Sequence, residues 1–310
     1  MDFLINWLAN IPSFATPFAL AALGLIICEK SGILNLGAEG YMLISAMAGA
    51  GAMLTFGQHP FLALAVAALA AAALSLIFGF LVIVLRVNQV ISGLTIIFFA
   101  QGTSQLISTI QGWTNESFTG LGTMRFGPLS DIPAIGKIVF QQDLIVYLAI
   151  ALFFVTNWVL NSTNIGLRLR SVGENPEAAD AAGVSIGLYR FGAVIAGGLL
   201  MGLAGGYLSV VVSKIWVDGM SGGRGWIAIA LVIFARWRPF VALGGAVLFG
   251  CIEALIPRMA ASGWELPQYF VLMLPYAVTL AVMVWTSLSG RAGSGQPGAL
   301  GQPFVREERR

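Results

Sequence analysis

The chain has 310 residues, of which 58% are hydrophobic and 10% charged, with a net charge of +2 and a mean hydropathy of +0.87. A soluble domain carries nearer about 25% charged residues, so composition excludes a soluble globular protein and leaves an integral membrane protein with almost no soluble mass. The charges are clustered: residues 3–28, 40–85, 144–167, 191–213 and 266–290 hold no Asp, Glu, Lys or Arg. A run of about 20 apolar residues crosses a bilayer as a helix. The solid Leu, Ala, Val, Ile and Phe blocks show none of the alternation that a membrane β-barrel needs.

In chain order, the N-terminal MDFLINWLANIPSF has no basic n-region and no small-residue cleavage site, so no removed signal peptide is expected. Nine hydrophobic helices (within a range of eight to ten) are predicted, near 11–28, 36–55, 61–85, 90–110, 143–161, 190–212, 225–236, 240–256 and 268–287. The fold class is thus an all-α polytopic membrane protein with one transmembrane domain over residues 1–289. The 225–236 segment is too short to cross comfortably and suits a half-helix or re-entrant element, as does the stretch Asn35–Gly40. The long mixed loop 111–142 is expected to carry a short amphipathic piece. Residues 290–310, rich in Gly and Pro with a charged end, read as a disordered tail. Cys28 and Cys251 fall at or within spans and read as small packing residues, not as a disulfide or metal pair.

Orientation follows from Lys and Arg. With the N-terminus outside and the C-terminus inside, the cytoplasmic segments hold eleven basic residues: Lys30, Arg86, Arg168, Arg170, Arg190, Arg236, Arg238, Arg291, Arg306, Arg309 and Arg310. The outer segments hold five: Arg125, Lys137, Lys214, Arg224 and Arg258. This orientation puts the loop 162–189 in the cytoplasm. Inside it, Arg168–Gly183 reads RLRSVGENPEAADAAG. Asn175 suits an N-cap, Pro176 the first helical position and Gly183 a left-handed stop. The helix so bounded has about seven residues, too few to be stable alone in water. Glu177 and Asp180 are three apart and share a face, and acidic charge near a helix start suits the dipole. The bland alternative is an ordinary solvated loop.

Two short blocks recur. Gly37-Ala38-Glu39-Gly40-Tyr41 is similar to Gly222-Gly223-Arg224-Gly225-Trp226, and Pro60-Phe61-Leu62-Ala63-Leu64 to Pro239-Phe240-Val241-Ala242-Leu243. They suggest a weak two-half repeat with interrupted helices and a site near the repeat interface, or chance in so apolar a chain. An ionisable residue at membrane depth is a functional candidate by default. For Glu39 and Asn35, structural bracing of the interrupted helix is nonetheless the favoured reading, with a place on the translocation path as the alternative. Arg224, among three glycines, could approach a polar ligand or merely pack its loop, and Glu253 could face a path or solvent. Tyr41, Phe98, Phe99 and Trp226 could stack on a nucleobase, although aromatics in membrane helices are more often packing or interface anchors.

The loop motif E-A-A-x-x-x-G, at Glu177-Ala178-Ala179 and Gly183, resembles the segment by which permeases of ABC (ATP-binding cassette) importers engage their ATPase. The block Glu29-Lys30-Ser31-Gly32-Ile33-Leu34-Asn35-Leu36-Gly37-Ala38-Glu39-Gly40 closely resembles the permease subunits of bacterial nucleoside-type ABC importers. It differs from the I-N-F-A-H-G type block of branched-chain amino acid permeases and the S-G-G-I-D-L-S-V-G block of ribose-type permeases. Two further blocks, Gly166–Pro176 and Gly219–Ala230 with Arg236-Trp237-Arg238-Pro239 after it, resemble the same family in order, as does Leu274-Pro275-Tyr276. Ser171 departs from the common Ala, and the chain lacks the extra first helix of ribose-type relatives.

The resemblance implies a transport subunit of a multi-pass importer in the bacterial plasma (inner) membrane, with no enzyme activity of its own, moving nucleosides or related purine and sugar solutes by alternating access. Its ATPase-coupling residues would be Arg168, Arg170, Gly173, Glu174, Asn175, Pro176, Glu177, Ala178, Ala179, Asp180 and Gly183. The partners implied are an ATPase subunit that binds ATP and Mg, a second related permease, an extracellular substrate-binding lipoprotein or periplasmic protein, and membrane lipid. No nucleic acid is expected. The chain itself has no G-x-x-x-x-G-K-[ST], a single histidine (His59) and no His/Cys/Asp cluster, so no cofactor or metal is expected on it. The alternatives are a permease for a free sugar or a branched-chain amino acid, an ATPase-independent channel and an intramembrane enzyme.

Overall fold

The computed structural model describes residues 2–125, 127–132, 135–261 and 295–306, with single positions between 273 and 284. Among them the regular structure is helical, joined by turns and loops, with two isolated bridges that tie Thr114 to Trp216 and Ser117 to Ile215. The helices are α1 (Asp2–Glu29), α2 (Ala38–Thr55), α3 (Pro60–Gly79), α4 (Gln89–Gln111), α5 (Ile135–Val139), α6 (Leu144–Ser162), α7 (Asn164–Glu174), α8 (Pro176–Ala181), α9 (Ile186–Tyr207), α10 (Arg224–Ala235) and α11 (Pro239–Ala261). Short π-helical stretches, Phe80–Val84 and Leu208–Ser213, prolong α3 and α9.

Six of these are long and apolar enough to cross a membrane: Phe3–Glu29, Pro60–Val84, Gln89–Gln111, Leu144–Ser162, Ile186–Ser213 and Pro239–Met259. The expected count of about nine therefore stands at six among the described residues. Helix α2, 18 residues rich in Gly, Ala and Met, is not among the six. Helix α10 has only 12 residues because it starts in the interior, beside Glu39. The helix expected at 268–287 lies outside the described residues. Helix α1 begins at Asp2 and not at residue 11, running through Pro12 and Pro17. Its first turns are tied from outside, where Trp7 Nε1 donates to the Cys251 carbonyl at 2.9 Å and Gln142 Nε2 to the Ala9 carbonyl at 2.8 Å.

Close backbone approach joins the centre, among fully buried large side chains such as Phe18, Leu23, Phe78 and Met201. A Cβ at Gly24 would lie 2.6 Å from the Gly197 carbonyl, and one at Gly197 would lie 2.7 Å from that of Gly24. Gly198, Gly202 and Gly206 form a stripe at four-residue spacing on α9, facing Ser75, Ala68 with Ala71, and Ala67 of α3. Small residues at this spacing let two membrane helices pack backbone to backbone, where dispersion replaces the hydrophobic drive that lipid cannot supply. The apolar windows of α1 and α9 are 78% and 72% buried, against 33% for α4 and α6, so the first pair forms the core and the second pair leaves broad faces open. A polar tie joins α6 to α9: Asp143 caps α6 by accepting from the Ile145 and Val146 amides, and Tyr207 Oη donates to its other oxygen at 2.6 Å.

The loop before α6 contains a 3₁₀ turn at Gly127–Asp131 and the five-residue α5. The tail differs from its sequence-based expectation. Residues 295–306 are not a free coil but a run of turns packed on α7 and the α1–α2 connection, where Ala299 is 6% exposed. Its glycines supply φ of +138° at Gly295 and +80° at Gly301, so a composition typical of disorder here serves tight turns.

If α9 packs through backbone contact, Gly202→Leu will lower the thermal midpoint of the detergent-solubilised protein by the equivalent of about 1–3 kcal/mol of overpacking. Gly102→Leu, where nothing lies within 4 Å, will leave the midpoint unchanged.

Candidate functional site

Two constellations stand out, one inside the bundle and one at its edge. The interior one starts at Asn35, which is fully buried. Its Oδ1 accepts from the Gly37 amide at 3.0 Å, and its Nδ2 reaches Cys28 Sγ at 3.7 Å. This local turn brings the chain into α2. Four residues after Asn35, Glu39 points at the start of α10. Its Oε1 accepts from Ser221 Oγ at 2.7 Å and from the Gly223 amide at 2.8 Å, while Oε2 accepts from the Gly225 amide at 2.7 Å. A carboxylate at a helix N-terminus meets free N–H groups and the positive end of the dipole.

The contact demands glycine. A Cβ at Gly225 would sit 2.3 Å from the Glu39 backbone nitrogen, and Gly223 holds φ of +84°. The two similar blocks of the sequence, Gly37–Tyr41 and Gly222–Trp226, thus touch each other. From this junction α2 runs toward Trp113, which fills the space beside Gly51. Helix α10 runs toward Glu29, whose carboxylate accepts from Trp237 Nε1 at 2.5 Å.

The remaining path candidates separate. Arg224 does not present a free charge: it pairs with Glu253 at 2.9 Å and donates to the Met220 and Ser221 carbonyls. Tyr41 is closed in the core, Trp226 is half-exposed, and Phe98 and Phe99 are exposed on the outer face of α4. These aromatics do not line one surface of this chain. The favoured reading of Glu39 and Asn35, bracing of an interrupted helix, matches their contacts. Ser221, 182 positions from Glu39, carries no sequence signal of its role.

At the edge, residues 164–183 form two helices where the letters suggest one. Helix α7 is capped by Thr163 Oγ1, which accepts from the Gly166 amide at 3.2 Å, and it lies so close to the α1–α2 connection that a Cβ at Gly173 would meet the Lys30 carbonyl at 2.2 Å. Helix α8 has the expected ends. Asn175 Oδ1 accepts from the Ala178 amide at 2.9 Å, Pro176 is its first residue, and Gly183 has φ of +80°. The Val184 amide closes the C-terminal turn on the Ala179 carbonyl at 2.9 Å. Of the small residues of the helix only Ala179 is buried, against Val172 and Ile186; Ala178, Ala181 and Ala182 are exposed, as are Arg168, Glu174 and Glu177, while Arg170 is half-buried. Asp180 differs from a free rim charge, because Arg306 Nε donates to its Oδ2 at 3.0 Å. Burial holds the Lys30 ammonium below its ordinary pKa range, against the opposing pull of Glu174. Among the described residues, no group of three or more His, Cys, Asp or Glu side chains is placed to hold a metal ion.

Glu39→Ala leaves the Gly223 and Gly225 amides without their acceptor, and the expected cost is about 2–3 kcal/mol. It will appear as a lowered thermal midpoint, with Glu39→Gln intermediate because one carbonyl oxygen remains to accept. An Ala variant as stable as the parent would show that the junction is held by other contacts.

The family described as "Branched-chain amino acid transport system / permease component" matches residues 7–283. The chain is 37% identical to a putative glucose ABC transporter permease protein of Haloferax volcanii, over 99% of both chains. It is 35% identical to a guanosine ABC transporter permease protein of Bacillus subtilis, over 96% of this chain and 95% of the relative. A nucleoside ABC transporter permease protein of Lactococcus lactis is 33% identical over 89% and 90%. No solved structure matches significantly. With apolar helices around a glycine-lined core, a capped helix exposed at one edge and a family match across most of its length, the chain belongs to the ABC transporter permeases of the branched-chain amino acid transport system permease family.

Proposed function

We propose that the chain is the transmembrane subunit of an ATP-driven importer and forms part of the translocation path for nucleosides or related purine and sugar solutes. Helix α8 carries this reading. It has six residues, is capped at both ends and is exposed on most of its surface, between the amphipathic α7 and the apolar α9. A rigid, small-sided helix of this kind fits a cleft of a separate ATPase, which would bind ATP and Mg. The coupling loop is 162–189, within a permease domain over 1–289. The N-terminus lies outside and the C-terminus inside, in a bacterial plasma (inner) membrane, as the Lys and Arg distribution suggests.

A second, related permease would cover the open face of α4, where Phe98 and Phe99 stand 71% and 54% exposed, and a binding lipoprotein or periplasmic protein would deliver solute from outside. The meeting of α2 and α10 fits the discontinuous helices of transporters built from two related halves, in which one half rocks against the other. Closure of the ATPase would move α8, and α7 would pass that movement to the α1–α2 connection at Gly173 and Lys30.

A free-sugar substrate is the second reading, favoured by the 37% identity to the putative glucose permease. The block Glu29–Gly40 favours the nucleoside reading. Uptake of labelled guanosine by cells carrying the whole transporter is expected to be competed by unlabelled nucleosides and not by glucose; the reverse pattern selects the sugar.

Glu177→Lys combined with Gly183→Pro reverses the charge at position 177, leaving α8 without net charge, and places proline at a φ it cannot adopt. The variant is expected to reach the membrane at parental levels but to lose ATPase association and solute uptake. Normal uptake would overturn the coupling role of α8.

A further inference from the structure

A six-residue helix cannot hold its own orientation, and the structure shows what holds α8. Residues Gly295–Arg306 return to the edge of the bundle and bridge three elements. The Ala299 amide donates to the Gly173 carbonyl at 2.9 Å, at the end of α7. The Gly298 amide donates to Glu174 Oε2 at 3.1 Å, one residue before the Asn175 cap. The Gly301 amide donates to the Gly32 carbonyl at 3.1 Å, and Lys30 Nζ donates to the Gly295 carbonyl at 3.1 Å, both in the α1–α2 connection. Phe304 then packs on the cluster of Val172, Ala179 and Ile186, the apolar seat on which α8 rests. Arg306 reaches Asp180 on α8 itself.

We propose that this C-terminal segment and α8 together form one composite docking surface for the ATPase, in which the segment is the strap that fixes the helix against the α1–α2 connection. The proposal rests on the reading of α8 as the ATPase contact and adds a second chain segment to it. The contacts rank by burial. Arg306 is 78% exposed at its side chain, so its pair with Asp180 contributes little by itself. The backbone pairs at Ala299 and Gly301 and the seating of Phe304 are more protected and carry the strap. Gly298 permits the approach, since a Cβ there would come within 2.8 Å of the Glu174 carbonyl. Between the strap and the helix lies a groove, walled by Glu174–Glu177 on one side and Gln302–Val305 on the other. Both walls therefore face whatever docks on α8. The path inward is continuous. Lys30 and Gly32 contact the strap, and the same stretch runs through Asn35 to Glu39 at the start of α10.

The test uses the assembled transporter in proteoliposomes, with ATPase association and solute moved per ATP hydrolysed as readouts. Phe304→Ser keeps the chain length and is expected to weaken ATPase association about tenfold, the scale of losing half of a buried aromatic, and to lower the solute-to-ATP ratio. Deleting 295–310 is expected to do at least as much. Phe304→Leu, which keeps an apolar side chain on Val172, Ala179 and Ile186, is expected to retain both readouts. A Phe304→Ser transporter with parental association and parental ratio overturns the strap. So does a loss matched by a lowered thermal midpoint of the isolated permease, which would assign Phe304 to stability alone. If the deletion does not reach the membrane, Phe304→Ser and Phe304→Leu decide. The Glu177→Lys, Gly183→Pro variant separates the two readings: if it too retains association, α8 is not the contact, whereas loss there with parental Phe304→Ser behaviour rejects only the strap.

Discussion

A carboxylate at membrane depth is costly unless its oxygens are satisfied. Glu39 meets that demand with three donors from the start of α10, the Ser221 hydroxyl and the Gly223 and Gly225 amides. The arrangement explains several features together. Helix α10 is short because it begins where Glu39 caps it. Gly225 is required because the backbones nearly touch. Gly40 is required as well, since a Cβ there would lie 2.9 Å from the Ile96 carbonyl of α4. One side chain thus satisfies the exposed amides at the start of one interrupted helix while anchoring the first turn of the other.

The same stretch of chain links the interior to the edge. Glu29 accepts from Trp237 beyond α10, Lys30 lies against Gly173 of α7, Gly32 receives the Gly301 amide, Asn35 turns the chain, and Glu39 caps α10. About ten residues therefore touch α7, the C-terminal segment and both ends of α10. The glycines along this path place backbone on backbone, where little can give. A displacement at α7 must move the connection or break these contacts, which is the kind of packed, discrete contact through which interfaces pass motion.

The stability of the bundle follows a different rule from that of a soluble core. Its central crossings place Gly24 against Gly197, and Gly198, Gly202 and Gly206 against α3, backbone to backbone. The outer faces of α4 and α6 remain apolar and open, as contact with lipid requires.

Local chemistry explains what could be read in the letters. The ends of α8 follow from Asn175, Pro176 and Gly183, because caps act within four residues. The spans follow from apolar runs, because the bilayer selects for length and composition. The similar blocks at Gly37 and Gly222 marked both halves of the central junction, though not that the halves meet. What the letters concealed was non-local or looked like its opposite. Helix α7 is amphipathic and charged, and the charges hid it within a loop. The Gly- and Pro-rich end reads as disorder, yet its glycines make the turns that bring Ala299 and Phe304 into place. Glu39 could be named as a candidate, but Ser221 is 182 positions away, and only packing selects it. The sequence by itself determined a helical membrane protein of this permease family and its capped edge helix, because hydropathy and capping are short-range. Only the tertiary structure decided which donors meet Glu39, that Arg224 is paired to Glu253, and that residues 295–306 rest on α7 and α8, because those depend on the close approach of backbones far apart in the chain.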